Sequence, residues 1–271
     1  MAFRLLQISD LHFGTEVEAV LQSLKQKIKE LHPNLVVVTG DITQRASSTQ
    51  FLKAKTFFDD LAPAPLICCP GNHDISLFNL FSRFLAPYGR FQSILNSKPD
   101  GFYVHAELEL LVLNSTSRFR HIDGKLNLNY LAERLDKFSS IENGPNNGPG
   151  KWKVVAFHHP LDCKQNIDEK NLLLNAPQVM QLLAQQGVNL VMGGHIHDPF
   201  ISTSEVRYPS LEKKILISVC GTGISHRTRR NAPNSFMVYD FEKKQFPSIT
   251  NLRFDYDSAT SQFKLINQRV F

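Results

Sequence analysis

Leu66-Ile67-Cys68-Cys69-Pro70-Gly71-Asn72-His73-Asp74 is the stretch from which the fold of this 271-residue chain can be read. Four apolar residues closed by Pro-Gly have the length of a buried strand rather than of a helix. The strand breaks into a tight loop that lines up an amide, an imidazole and a carboxylate. Asn and Asp favour loops for their own backbone hydrogen bonding, so the quartet alone is a turn as readily as a site. Its weight comes from four other expected strand ends that carry the same kind of side chain.

Outward toward the amino terminus, Ser47 and Gln50 have the spacing of a helix start, and Phe51, Ala54, Phe57, Phe58 and Leu61 follow at helical intervals until Pro63 and Pro65. Before them lies Leu35–Thr39, apolar and largely β-branched, closed by Gly40-Asp41. Earlier still, Val17, Val20, Leu21, Leu24, Ile28 and Leu31 mark an amphipathic helix, with Thr15 and Glu18 at capping-box spacing and His32-Pro33 as its stop. Phe3–Ile8 is the first strand, and Ser9-Asp10-Leu11-His12-Phe13-Gly14 is the loop at its end. Strand, helix, strand, helix, strand predicts an α/β protein with a largely parallel sheet, in which sites collect at the carboxyl ends of strands.

Toward the carboxyl terminus, Ile75–Tyr88 is apolar, with Phe78, Phe81 and Phe84 spaced by three. Arg83 and Arg90 interleave with these rings. A helix packed on the body is the expectation, and a membrane-facing surface over Phe78–Arg90 the alternative. Gly101–Ser115 suggests two strands meeting near Glu107, and Asn129–Phe138 a helix. Glu142–Gly150 (ENGPNNGPG) reads as a surface loop inside one domain, residues 1–271, because motif residues lie on both sides of it. Lys153–Phe157 is a strand ending in His158-His159-Pro160. A helix follows with Asn175 as its cap, Pro177 near its start and Gly187 at its end. Val188–Met192 is a strand ending in Gly193-Gly194-His195-Ile196-His197-Asp198. Ile215–Val219 and Phe236–Phe241 are expected strands around the loop 221–235, and the remaining stretch is mixed with some strand.

A composition of 42% hydrophobic and 20% charged residues is that of a globular protein able to bury a sizeable core. A net charge of +5 fits an anionic substrate as well as a solvated surface. Cys68, Cys69, Cys163 and Cys220 form no CxxC pair, so reduced, buried thiols are expected. The chain enters its first strand at once and has no run of membrane-spanning length, which makes a cytoplasmic protein the expectation.

Asp10 and His12 are two apart, so in extended chain both side chains point the same way. His195 and His197 repeat that spacing, while Asp41, Asn72 and His158 each stand alone at a strand end. Imidazole nitrogens with carboxylate and amide oxygens, and no thiolate, suit manganese, iron, zinc, cobalt or nickel. Seven donors are more than one ion needs, and a carboxylate can bridge two.

In order, DLH, GD, GNHD, HHP and GHIH from Asp10 to His197 resemble the calcineurin-like metallophosphoesterase superfamily. The resemblance implies a four-layer α-β-β-α sandwich of two mixed sheets flanked by helices. It implies two divalent or trivalent ions, manganese or iron first. Asp10, His12, Asp41 and His197 map to one metal site, and Asp41, Asn72, His158 and His195 to the other, with Asp41 shared. His73 maps to the catalytic histidine that helps the leaving oxygen depart. His159 matches no ligand position and should face another way. The implied reaction is attack of a metal-bridging hydroxide on a phosphodiester or pyrophosphate.

Protein phosphatases of the superfamily carry GDxxDRG, and here the second Asp is Gln44, while Arg45 is kept as a candidate phosphate contact. The repair nucleases share GHIH but also need a second Asp, and no long coiled-coil insertion is present. UDP-diacylglucosamine pyrophosphatases typically have Arg in place of His73, although other branches of that lipid chemistry keep GNHD. The resemblance extends furthest to bacterial cyclic-nucleotide-phosphodiesterase-like proteins. Among them the loop Gly221–Arg230 offers Arg227, Arg229 and Arg230 for a nucleotide phosphate. The expected partner is therefore a phosphorylated, nucleotide-like small molecule, with no stable nucleic-acid partner. A lipid-linked nucleotide-sugar pyrophosphate and a nuclease substrate are the alternatives. A scaffold without chemistry is disfavoured, because every ligand position is kept.

Overall fold

The computed structural model describes residues 2–140, 151–242 and 247–271. Two six-stranded mixed sheets form the centre. The first has the order β12 (Gln262–Val270), β11 (Ser248–Asp257), β10 (Ser235–Glu242), β1 (Phe3–Ile8), β2 (Leu35–Thr39), β3 (Leu66–Cys69). The second runs β4 (Gly101–Val104), β5 (Leu108–Val112), β6 (Trp152–Ala156), β7 (Leu190–Gly193), β9 (Leu216–Val219), β8 (Phe200–Thr203). The expected surface loop Glu142–Gly150 lies outside the described residues.

Strand alternation divides the core into three layers. Leu5, Val37 and Tyr239 of the first sheet meet Leu110, Val154 and Met192 of the second between the sheets. Their chain neighbours Leu6, Val36 and Val38 face outward onto the helices α1 (Glu18–Leu31) and α2 (Ser48–Asp59). On the opposite side Leu111, Val155 and Val191 face α5 (Leu128–Ser140) and α6 (Ala176–Gln185). Helix, sheet, sheet, helix is the implied sandwich.

β1, β2 and β3 pair in parallel, and so do β5, β6, β7 and β9. The parallel strands of each sheet therefore end on a common edge, and the loops after β1, β2, β3, β6 and β7 converge there. The carboxyl-terminal stretch is a hairpin: β11 and β12 run antiparallel and extend the first sheet beyond β10.

Three local expectations change. α1 has Val17 at its N-cap position and no side-chain cap. The Thr15 hydroxyl instead donates to the His12 carbonyl at 2.9 Å, inside the site loop. Asn175 does cap α6 by position, but its side chain is spent on the backbone of Leu126, which ties α6 to the segment before α5. Ile75–Tyr88 is not one helix. It contains α3 (Leu80–Leu85), and Gly89–Leu95 forms α4. The packed-helix expectation also fails at its side chains, because Phe78, Phe81 and Leu85 are exposed and Arg83 is buried. Ser47 caps α2 as expected, accepting the Gln50 N–H at 3.2 Å.

A candidate dimetal site at the meeting edge of the two sheets

Five of the seven expected ligand residues sit in left-handed backbone: Asp10 (φ 51), His12 (φ 47), Asp41 (φ 46), His195 (φ 70) and His197 (φ 61). Non-glycine residues adopt that region rarely, and Asp and His among the least reluctantly. Each such turn breaks the strand's alternation at its end and aims the side chain across the edge. Strain of this kind persists where surrounding contacts over-determine it. Here the contacts include Asp10 N–H to the Gly40 carbonyl at 3.1 Å and His12 N–H to the Asp41 carbonyl at 2.9 Å.

The side chains form two groups around one carboxylate. In the first, Asp10, His12, Asp41 and His197 offer donor atoms all within 4.8 Å of one another. His12 Nε2 lies 3.7 Å from Asp41 Oδ2 and 3.3 Å from His197 Nε2, and His197 Nε2 lies 3.1 Å from Asp10 Oδ1. In the second, His158 Nε2 lies 3.4 Å from Asp41 Oδ1, 3.2 Å from Asn72 Oδ1 and 3.3 Å from His195 Nδ1. Asp41 thus turns one oxygen toward each group.

Backbone carbonyls set which ring nitrogen faces inward. A carbonyl can only accept, so the nitrogen bonded to it carries the proton and the other is left to bind. His158 Nδ1 donates to the Thr39 carbonyl at 2.8 Å, and His197 Nδ1 donates to the Arg227 carbonyl. His73 Nδ1 does the same to the Gln44 carbonyl at 2.9 Å. Asp10 is oriented from its other oxygen: Oδ2 accepts from the Ser9 hydroxyl at 2.6 Å and the His195 N–H at 3.0 Å. Its Oδ1 is buried, hydrogen-bonded to nothing among the described residues, and aimed at His197. A buried carboxylate oxygen left open among inward-facing imidazoles fits a cation.

Charge in the cluster follows the same logic. Burial favours neutral carboxyls, yet the imidazoles of His158, His73 and His12 outweigh it and hold Asp41 well below the usual carboxylate range. Burial would depress His158, but Asp41 and Asp10 raise it to about 9. Burial drives His12 down to about 3, and it drives His195 well below its ordinary value with help from His159 and His158.

His159 lies beside this group, but both its nitrogens are engaged, with the Ser115 hydroxyl at 2.8 Å and the Ile122 carbonyl at 2.7 Å. It does not face away as expected, since one ring nitrogen falls within 4.8 Å of donor atoms of His158 and His195, but its two hydrogen bonds fasten the segment 115–122 to the edge of the site. Asp74, the last residue of GNHD, is also structural. Its carboxylate accepts the N–H groups of Ile42, Thr43 and Gly71 at 3.0, 2.7 and 2.9 Å, clamping the β2 and β3 loops together.

His73 stands at the mouth. Its ring meets His12 edge-on at 4.9 Å, and its Nε2 faces the Arg227 guanidinium at 3.3 Å. Gln44, which replaces the second Asp of the phosphatase motif, serves both neighbours: its carbonyl holds His73 and its side chain accepts from Arg227 at 2.8 Å. Above the cluster is a cavity of about 760 Å³, with Asp41, Asn72, His73, His195 and His197 on its floor. Arg227, Arg229 and Lys170 stand on its walls.

The calcineurin-like phosphoesterase model matches residues 3–199. This chain is a calcineurin-like phosphoesterase. Two curated relatives are similar to it at low identity. The UDP-2,3-diacylglucosamine pyrophosphatase LpxG of Chlamydia trachomatis is 27% identical over 216 residues, which are 73% of this chain and 64% of that protein. The chain therefore spans less than two thirds of that relative's length. A protein named "Probable cyclic nucleotide phosphodiesterase" from Vesicomyosocius okutanii is 31% identical over 220 residues, covering 73% of this chain and 79% of the relative. Among solved structures, the purple acid phosphatase PPD1 of yellow lupin superposes with a TM-score of 0.69 at 12% identity over 100% of this chain and 53% of its own. A dimetal phosphatase from Danio rerio gives 0.66 at 13% identity over 99% of this chain and 98% of its own. The chain thus belongs to a family that works with two metal ions, and its clustered His and Asp side chains fit such a pair.

The phosphoesterase brings all seven expected ligand residues and His73 to one place, and Arg227, Arg229 and Arg230 line the same cavity while Arg45 lies outside it. Only Arg227 reaches His73. Arg230 is engaged by the buried carboxylate of Asp168, with Nη2 3.0 Å from Oδ1, and Arg229 lies 3.7 Å from the same oxygen. Arg45 is exposed, with its guanidinium 5.5 Å from the Phe78 ring centre. Asp168 and the wall residues His121 and Asp123 carried no signal in the sequence, since single polar residues in loops are ordinary.

Glycines let the ligand loops approach one another. A Cβ on Gly194 would overlap Ser9 Oγ and Asp10 Oδ2, although its φ is not positive. Gly194→Ala is expected to cost about 1–3 kcal/mol, as overpacking does, and to weaken metal binding by displacing Asp10. Urea unfolding of the metal-free protein together with metal titration checks both. Unchanged metal affinity would show that Asp10 does not depend on this approach.

Proposed function

We propose that the phosphoesterase hydrolyses a phosphodiester or pyrophosphate bond in a nucleotide-like small molecule. The observation that carries this reading is the Asp41 carboxylate, with one oxygen facing each donor group. Asp10, His12, Asp41 and His197 would hold one ion, and Asp41, Asn72, His158 and His195 the other. Nitrogen and oxygen donors without thiolate suit manganese, iron, zinc, cobalt or nickel, and the resemblance to the superfamily puts manganese or iron first. When bound, such a pair supplies an activated water and neutralises charge on the phosphate oxygens. The residues supply the rest. His73 presents Nε2 toward the cavity, where it can protonate or stabilise the departing oxygen. Arg227 stands beside it as a donor for a phosphate oxygen. The cavity lies within the range that nucleotide-sized ligands occupy. Four free, buried thiols fit a reducing compartment such as the cytoplasm, and among the described residues no helix is long and apolar enough to cross a membrane.

A lipid-linked nucleotide-sugar pyrophosphate is the second reading, favoured by the similarity to LpxG despite His73. The test is a panel for the manganese-loaded protein: cyclic mononucleotides, dinucleoside polyphosphates, UDP-diacylglucosamine and single-stranded DNA. Hydrolysis of a cyclic or dinucleotide substrate supports the first reading, and turnover of UDP-diacylglucosamine alone supports the second. Metal-replete protein that cleaves none of them overturns both.

Arg227→Ala is expected to raise KM about tenfold or more and to lower kcat less, because a phosphate contact binds substrate and transition state alike. Arg229→Ala, already drawn to Asp168, should change KM little. Equal effects of the two substitutions would return Arg227 to ordinary surface.

A further inference from the structure

α3 is turned inside out. Arg83 is 7% exposed, whereas Phe81 is 77% and Leu85 67% exposed. A surface helix normally does the reverse, burying its apolar stripe. The inversion is pinned by hydrogen bonds: the Arg83 guanidinium donates to the Arg120 carbonyl at 2.6 Å and the Ser76 carbonyl at 3.3 Å. The neighbouring segment adds to the same ridge. The Phe119 ring, 79% exposed, lies 5.9 Å from that of Phe84. Exposed apolar groups in one contiguous patch mark an interaction surface, and scattered ones do not.

The charge of the patch selects the partner. Residues 75–99 and 110–122 contain no carboxylate, and with Arg83 turned inward the cations beside the ridge are Arg45, Arg118 and Arg120. Arg118 lies over Phe119 with its guanidinium 6.0 Å from the ring centre, as Arg45 lies over Phe78. A second copy of the chain would bring the same unbalanced positive charge against this face. Aromatic rings that insert at headgroup depth, among cations that reach phosphates, match an anionic lipid surface. The ridge also adjoins the site: a groove of about 150 Å³ is lined by Leu77, Phe78, Arg45 and His73.

We propose that the ridge of residues 77–85 with Phe119 docks the phosphoesterase on an anionic lipid bilayer, holding the mouth of the cavity against the headgroups. The substrate met there is a membrane-borne phosphorylated amphiphile, an extension that rests on the second, lipid-linked reading above. The docking itself does not.

The test is sedimentation of the full-length protein with vesicles of phosphatidylcholine alone and of phosphatidylcholine mixed with phosphatidylglycerol. The protein is expected to pellet with the mixed vesicles, to be released by salt, and to stay in solution with the neutral ones. Replacing Phe81 and Leu85 together by Ser removes two anchors and should lower the partition about tenfold or more, as should Phe119→Ser alone to a smaller extent. Both variants should keep the thermal melting curve and the hydrolysis of a soluble nitrophenyl diester, since none of these residues touches the cavity. Failure to pellet with anionic vesicles, equal pelleting by the double variant, or equal binding to neutral vesicles overturns the proposal. So does a concentration-dependent dimer abolished by the same substitutions, which would assign the face to a second copy. Sedimentation requires no turnover, so an inactive protein that still pellets would defeat the hydrolase reading and leave the docking intact.

Discussion

Asp41→Asn is expected to lose tight binding of both ions and to lower kcat/KM about a thousandfold or more, the scale of several kcal/mol of charge stabilisation. Asp41 Oδ2 lies 3.7 Å from His12 Nε2 and Oδ1 lies 3.4 Å from His158 Nε2, so this one carboxylate faces both donor groups. Asparagine keeps the shape but places an NH₂ donor where one of the two groups needs an acceptor. It also removes the negative charge, facing both donor groups, that would offset the charge of two cations. Asp10→Asn provides the comparison, because Asp10 belongs to one group alone and should disturb chiefly that ion. Elemental analysis per chain, with kcat/KM on a soluble diester, reads both effects. Two ions retained by Asp41→Asn at wild-type affinity would sink the assignment of Asp41 as the shared ligand.

His73→Ala is the second large effect and should have the opposite signature: both ions kept and the rate lost selectively. His73 hydrogen-bonds the Asp41 carboxylate through its backbone N–H, at 2.9 Å, while its ring is turned to the mouth. The ring is held by the Gln44 carbonyl on one side and presents Nε2 on the other. A ribose or other alkyl leaving group departs as a strong base and needs a proton or a compensating charge. Nitrophenolate does not. General-acid assistance contributes roughly 10²- to 10⁴-fold where it is required, so His73→Ala should lose that much on an alkyl diester and far less on bis-nitrophenyl phosphate. Equal losses on the two substrates would make His73 a substrate-positioning residue. Loss of an ion would place its ring among the ligands.

The ligand loops were legible in the sequence because each is local: a short apolar strand, a break, then a donor. The four-layer sandwich came with the resemblance to the superfamily, whereas the pattern of strands and helices by itself pointed to an α/β protein with a largely parallel sheet. Thr15 and Glu18 misled because a capping box is only a spacing, and here the tertiary contacts of the site loop claim Thr15 first. α3 misled for a deeper reason. Apolar residues at intervals of three predict a buried face, and only the Arg120 carbonyl, 37 residues away, decides that Arg83 takes the inside. The bond between Arg230 and Asp168 is likewise set by residues 62 apart and has no local trace. What the sequence conceals is therefore which of two plausible faces the rest of the chain satisfies.

The left-handed backbone at Asp10, His12, Asp41, His195 and His197 has a consequence for substitution. Glycine would sit in each of these turns with less strain, by about 1 kcal/mol per position, and would remove a buried polar group as well. It would also strip the Ser9 hydroxyl, the His195 N–H and the Arg227 carbonyl of the partners that Asp10 and His197 give them, at about 1–3 kcal/mol for each buried group left unpaired. The strain at these turns is thus held in place by the partners of the very side chains that suffer it.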